Sequence, residues 1–261
     1  MSVDMPGDLH TETAVAAESE LVERVALACR VLGKLDATHG SFGHVSVRTG
    51  PNSMLIKGKG PGEVSLRDTT ASDVIAVSFD VRKLDGRHDL RPPSESFLHA
   101  WIYRLRPEVE SVIHMHPESA LLLTVCGIGI APIYGAYGQG ARLASEGVPT
   151  YGSSLTIRNH ERGEAFAKFM GEHRACLMHG HGVATTGASI EDAAVTTMAL
   201  KELTDVTYAA HLTGRVPVPL PEDELAEIAR PPGPDRPFGS AGGLTGVLAT
   251  WNNYQRLAEE T

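Results

Sequence analysis

Apolar residues recur at helical spacing over residues 20–35, where Leu21, Val22, Val25, Leu27, Ala28, Val31, Leu32 and Leu35 fall together. The pattern predicts an amphipathic helix that stops between Gly33 and His39. The period then changes to two. A glycine-rich turn, Gly40-Ser41-Phe42-Gly43, runs into the alternating His44-Val45-Ser46-Val47-Arg48, which predicts a strand. Short apolar runs at residues 54–56, 74–79, 112–116, 128–133, 175–178 and 183–186 predict more strands, and Leu84-Asp85-Gly86-Arg87 reads as a hairpin turn. Helices are expected over residues 95–104, 119–125 and 162–172. A longer one follows the Ser189 cap to about His211 and is closed by Gly214. Residues 1–18 are polar and read as a loose arm. The prolines of residues 216–237 predict extended chain, and residues 244–257 a weak final helix that buries Leu244, Val247 and Leu248. The pattern predicts one mixed α/β domain over residues 19–215 with a C-terminal extension over 216–261.

Composition narrows the classes. The chain has 261 residues, 42% of them hydrophobic and 21% charged, which suffices for a full core and excludes wholesale disorder. Its 23 basic and 32 acidic residues leave a net charge of -9, so phosphate backbones exert no attraction and no nucleic-acid partner is expected. No apolar run reaches the ~20 residues of a membrane helix, and residues 1–20 lack the basic and apolar regions of a signal peptide. Three cysteines, Cys29, Cys126 and Cys176, are too few and odd for a disulfide framework and fit a reducing cytoplasm.

The chain holds 12 histidines, several in short clusters. In a strand, His114 and His116 point to one face and can grip one cation. The cluster His179-Gly180-His181-Gly182 follows another strand, and one of its two histidines can supply a third nitrogen. Three histidines with an open position are the pattern of a catalytic metal site. Glu95 follows Pro92-Pro93-Ser94 at a helix start, where Ser94 is the expected cap and the helix dipole favours a carboxylate. Each feature alone also reads as an ordinary structural residue; their combination carries the argument.

That combination resembles the class II aldolase/adducin family. The matching blocks, in order, are Gly43-His44-Val45-Ser46-Val47-Arg48, Pro93-Ser94-Glu95, Ile102-Tyr103-Arg104-Leu105-Arg106-Pro107, Val112-Ile113-His114-Met115-His116, residues 134–138, and His181-Gly182. The resemblance implies a three-layer α/β/α sandwich on a central, mainly antiparallel sheet, assembled as a homotetramer with interfacial active sites. It implies one divalent metal per chain, with zinc favoured over Mn, Co or Fe, on His114, His116 and His181. Glu95 takes the acid/base position and can also ligate the metal. Tyr134, with Tyr137 as rival, takes the position of a loop tyrosine that protonates substrate, and His179 is left outside the ligand set.

The departures lie where sugar-phosphate members hold phosphate. His44 replaces an Asn, Lys57-Gly58-Lys59-Gly60 replaces a Thr-Pro-Ser/Thr-Gly turn, and Pro93 replaces the first of two serines. These changes predict a small anionic substrate other than a ketose phosphate. They point to the family's decarboxylases of hydroxylated aromatic dicarboxylates, such as a dihydroxyphthalate-like acid. Glu95 or His44 would carry the proton, while Lys57, Lys59 or Arg48, beside Gly43 and Ser94, would bind substrate. The alternatives are an aldolase or epimerase on a hydroxy-carbonyl substrate, an Fe(II) oxygenase, and an adducin-like interaction module without catalysis.

Overall fold

The computed structural model describes residues 8–134, 139–229 and 244–260. In chain order the elements are α1 (Asp8–Lys34), β1 (His44–Gly50), β2 (Ser53–Lys57), β3 (Val74–Ser78), β4 (Lys83–Asp85), α2 (Ser96–Leu105), β5 (Ser111–Met115), α3 (Glu118–Val125) and α4 (Gly140–Glu146). They continue as β6 (Thr150–Tyr151), α5 (His160–Met170), β7 (Ala175–Met178), β8 (Val183–Gly187), α6 (Ile190–Leu212), α7 (Glu222–Ala229) and α8 (Leu244–Glu260). The strands form one sheet in the order β4-β3-β2-β1-β5-β8-β7-β6. Every pairing is antiparallel except the short β6–β7 contact.

Alternation along the strands builds two cores. Val45, Val47, Leu55, Ile113, Met115, Leu177 and Val183 pack with Val25, Leu32 and Leu200 of α1 and α6, and with Val247 and Trp251 of α8. Their neighbours Met54, Ile56, Val112, Cys176 and Ala184 face the other way, with Leu98 and Ile102 of α2 and Phe166 of α5. Helices therefore cover both faces, and the expected α/β/α sandwich is the observed architecture. Arg24 of α1 clamps Glu191 of α6 with two bonds of 2.9 and 3.0 Å.

Several local expectations change. Helix α1 begins at Asp8, inside the segment read as a loose arm; no proline falls between Pro6 and Pro51, and alanine and glutamate favour the helix. Residues 128–133 are irregular rather than a strand. The stretch read as extended contains α7, which Pro221 opens and three acidic residues in its first turn favour. The β3–β4 turn lies at residues 79–82, ahead of the expected site, with Ser78 and Arg82 closing it. Helix α8 buries Val247, as expected, and Trp251 in the first core, but Leu248 is exposed, because it lies on the far side of the helix, and the Leu244 side chain lies outside the described residues. All three cysteines are free.

Candidate metal centre and active site

Strands β1 and β5 place His44 directly opposite His114 on the α2 face of the sheet. His116 lies one residue beyond β5, and His181 sits in the turn between β7 and β8. Two glycines allow these segments to meet. A Cβ on Gly182 would stand 2.4 Å from the Met115 carbonyl and 2.8 Å from the His116 ring. Gly43, at φ +88°, would press a Cβ to 2.6 Å from the Met115 sulfur. The contribution of Gly43 is thus the close approach of its backbone to β5.

The fourth group comes from α2. Glu95, not Ser94, is the residue that precedes the first helical turn, and its side chain makes no capping bond. The carboxylate turns to the histidines instead. One oxygen lies 3.1 Å from His114 Nε2 and 3.4 Å from His181 Nε2, while the other accepts from the Ile157 amide at 3.2 Å. Burial opposes its ionisation, but the charge and hydrogen bonds of His114 and His181 outweigh burial and hold the carboxyl well below its usual range. Ser94 is exposed beside it.

One ligand atom from each of Glu95, His114, His116 and His181 lies within 4.8 Å of the others. His114 Nδ1 is 2.9 Å from the Val183 carbonyl, which can only accept, so Nδ1 carries a proton and Nε2 is the nitrogen that would face a cation. That Nε2 is 2.8 Å from His116 Nε2. Burial and the neighbouring imidazoles push His116 down to about 3, so it is neutral at pH 7. Three nitrogens and one carboxylate oxygen converging in this way fit a borderline divalent cation.

The other expected residues divide. His44 is buried beside the cluster, its ring 5.2 Å from that of His114. Lys59 donates to the Ser41 carbonyl at 2.7 Å and stands 5.6 Å from the Phe42 ring. Lys57 is a correction. As the partner of Leu55 two residues on, it points to the α1 face, is 1% exposed, and its Nζ lacks a hydrogen-bond partner. Arg48 is a second correction. It sits about 13 Å along β1 from His44 and donates to the carbonyls of Tyr103, Arg106 and Val109, fixing the end of α2. Tyr134 is also outside the cluster; it packs at Gly140, within electrostatic reach of Glu202, Asp205 and Tyr254. Tyr137 lies outside the described residues. His179 bonds the Thr124 carbonyl at 3.1 Å and lines a separate cavity of about 320 Å³ with Gly127, Ile128 and Thr150.

Two neighbours escaped sequence reasoning. Phe42 is 59% exposed and stacks on His116 with ring centroids 5.6 Å apart. His99, fully buried, bonds His44. His99 follows Glu95 at helical spacing and was legible only as one more residue in an apolar run.

With fold and site in place, the class is defined: residues 23–208 match the Class II Aldolase and Adducin N-terminal domain, and the chain belongs to that family. Within it, the chain is 34% identical over 212 residues to a 3,4-dihydroxyphthalate decarboxylase of Arthrobacter keyseri, covering 79% of this chain and 85% of that protein. A 3,4-dihydroxyphthalate decarboxylase of a Terrabacter species is 34% identical over 219 residues, covering 82% and 89%. In three dimensions the chain is similar to an aldolase II superfamily protein from Pseudomonas syringae, with a TM-score of 0.78 and 23% identity over 93% of both chains. Family membership brings divalent-metal dependence, which agrees with the donor cluster. No helix among the described residues is long and apolar enough to cross a membrane.

Proposed function

We propose that this chain is a divalent-metal-dependent carbon–carbon lyase that decarboxylates a hydroxylated aromatic dicarboxylate of the dihydroxyphthalate class. The observation that carries the reading is the cluster of buried Glu95 and His114 with half-buried His116 and His181, in a chain whose relatives of that activity match it across most of their length. His114, His116 and His181 hold the cation, zinc in our reading, and Glu95 closes the set. A bound divalent cation supplies Lewis-acid polarisation of substrate oxygen.

The chain's own groups do the rest. Phe42 offers an exposed aromatic face on which a substrate ring stacks. Lys59, beside that ring, attracts the second carboxylate, with Gly43, next to Phe42 in the chain, and the exposed Ser94, next to Glu95, as further substrate contacts. Glu95 and His44 stand where a proton is moved between a ring hydroxyl and the ring carbon bearing the leaving carboxylate. The carbon–carbon bond then breaks, carbon dioxide leaves, its electron pair returns to the ring, and the product oxyanion takes one proton from solvent. The aldolase alternative draws on Tyr134, which this chain does not bring to its own cluster. The proposed assembly is a cytoplasmic homotetramer, tested by sedimentation.

Elemental analysis of the purified chain beside His116→Ala tests the site. About one divalent ion per chain, lost in the variant, is expected. Carbon dioxide release from 3,4-dihydroxyphthalate and a panel of hydroxylated aromatic acids then tests the reaction. No metal after incubation with excess Zn, Mn, Co or Fe(II) overturns the enzyme reading. Metal without carbon dioxide, but with aldol cleavage, replaces decarboxylase by aldolase.

A further inference from the structure

Behind His44 runs a buried chain of side chains that the reaction above does not use. Strand β1 contributes His44 and Ser46, two residues apart, and α2 contributes His99 and Tyr103, four apart. Each is at most 4% exposed. His44 Nδ1 is 2.9 Å from His99 Nε2, and His99 Nδ1 is 2.7 Å from Ser46 Oγ. Ser46 Oγ is also 2.8 Å from the Tyr103 hydroxyl and donates to the Val112 carbonyl at 3.3 Å.

The protons of this chain can be assigned by counting. A hydroxyl has one proton and two lone pairs. The Val112 carbonyl only accepts, so the Ser46 proton goes to it. The two lone pairs of Ser46 then accept from the Tyr103 hydroxyl and from His99 Nδ1–H. Burial keeps the His99 ring neutral, and a neutral imidazole carries a single N–H. His99 Nε2 is therefore bare and accepts from His44 Nδ1–H. What remains on His44 is an unprotonated Nε2, on a ring packed 5.2 Å from a metal-ligating histidine.

We propose that His99 is a positioning residue that locks His44 with Nδ1 protonated and Nε2 bare. The site then accepts a hydrogen bond from a ring hydroxyl of its substrate and rejects acids lacking that hydroxyl. The selectivity rests on the proposed decarboxylase reading; the tautomer itself does not. Sites built to pair a substrate hydroxyl discriminate strongly against analogues without one, because their own polar group is left unpaired.

The test is long-range proton–nitrogen NMR on the full chain with 15N-labelled histidine, with and without added zinc. The His44 signals are assigned by their loss in His44→Gln. Wild type is expected to show Nδ1–H and a bare Nε2 on His44. His99→Leu removes the acceptor and is expected to release His44 into mixed tautomers. Its kcat for 3,4-dihydroxyphthalate should fall on the order of a hundred-fold, with KM and metal content little changed. His99→Gln, whose amide oxygen can accept from His44 Nδ1–H, should restore most of kcat. A protonated Nε2 on His44 in wild type, or an unchanged tautomer in His99→Leu, overturns the proposal. If His99→Leu does not fold, wild type and His99→Gln still decide it. The expected tautomer in a chain that releases carbon dioxide from no hydroxylated acid supports the positioning and overturns only the reaction.

Discussion

The two faces of the sheet are built from the same strands and differ in almost everything else. Toward α1, α6 and α8, β1 and β5 present Val45, Val47, Ile113 and Met115 to an apolar layer. Toward α2 the alternate positions are His44, Ser46, Val112 and His114, and Glu95, His99 and Tyr103 answer them from the helix. A period of two thus separates stability from chemistry within single strands. The apolar side also holds the buried amine of Lys57, which lacks a hydrogen-bond partner.

Substitutions should separate the faces. His114→Ala, at the centre of the polar face, is expected to lose metal and turnover together, read by elemental analysis beside an activity assay. Glu95→Gln should retain much of the metal while kcat falls about 10²- to 10⁴-fold; full activity would remove Glu95 from proton movement. On the apolar face, Leu32→Ala should cost about 2–5 kcal/mol in urea unfolding and leave metal content unchanged. Lys57→Met should do the reverse and stabilise by about 1–3 kcal/mol, because it removes an unpaired buried amine at similar volume. Burial lowers the pKa of Lys57, so the unfolded chain binds that proton more tightly than the folded one. Wild-type stability should therefore rise with pH from the lowered folded value up to the ordinary 10.5, and Lys57→Met should flatten that rise. The smallest effect belongs to Phe42→Ala, for which KM should rise about two- to tenfold with kcat nearly constant.

What the sequence disclosed follows from the range of each signal. His114 and His116 on one strand end, the His181-Gly182 turn and Glu95 after Pro93-Ser94 are local patterns, and the fold brings their side chains together. The sandwich was legible because strand alternation and helical spacing are local too. The lysines were not, because Lys57 and Lys59 share one loop-like run and only the end of β2 decides that Lys57 turns to the apolar face. Arg48 looked available until the fold brought three carbonyls from residues 103–109 around it. Phe42 and His99 acquire meaning only from partners distant in sequence. Strand β6 has two residues, too few for any periodicity, and it exists because β7 pairs with it.

The ammonium group of Lys34, in the last turn of α1, donates to the carbonyl of Ala258 in α8 at 2.7 Å, across 224 residues of chain. Val25 and Leu32 share their core with Val247 and Trp251 of that same distant helix. On the ribosome, α1 therefore emerges on the order of tens of seconds before the helix that covers part of it. Through that interval an oily stripe faces solvent, a target for holding chaperones. Messages truncated before codon 244 should yield nascent chains that those chaperones retain and proteases clear.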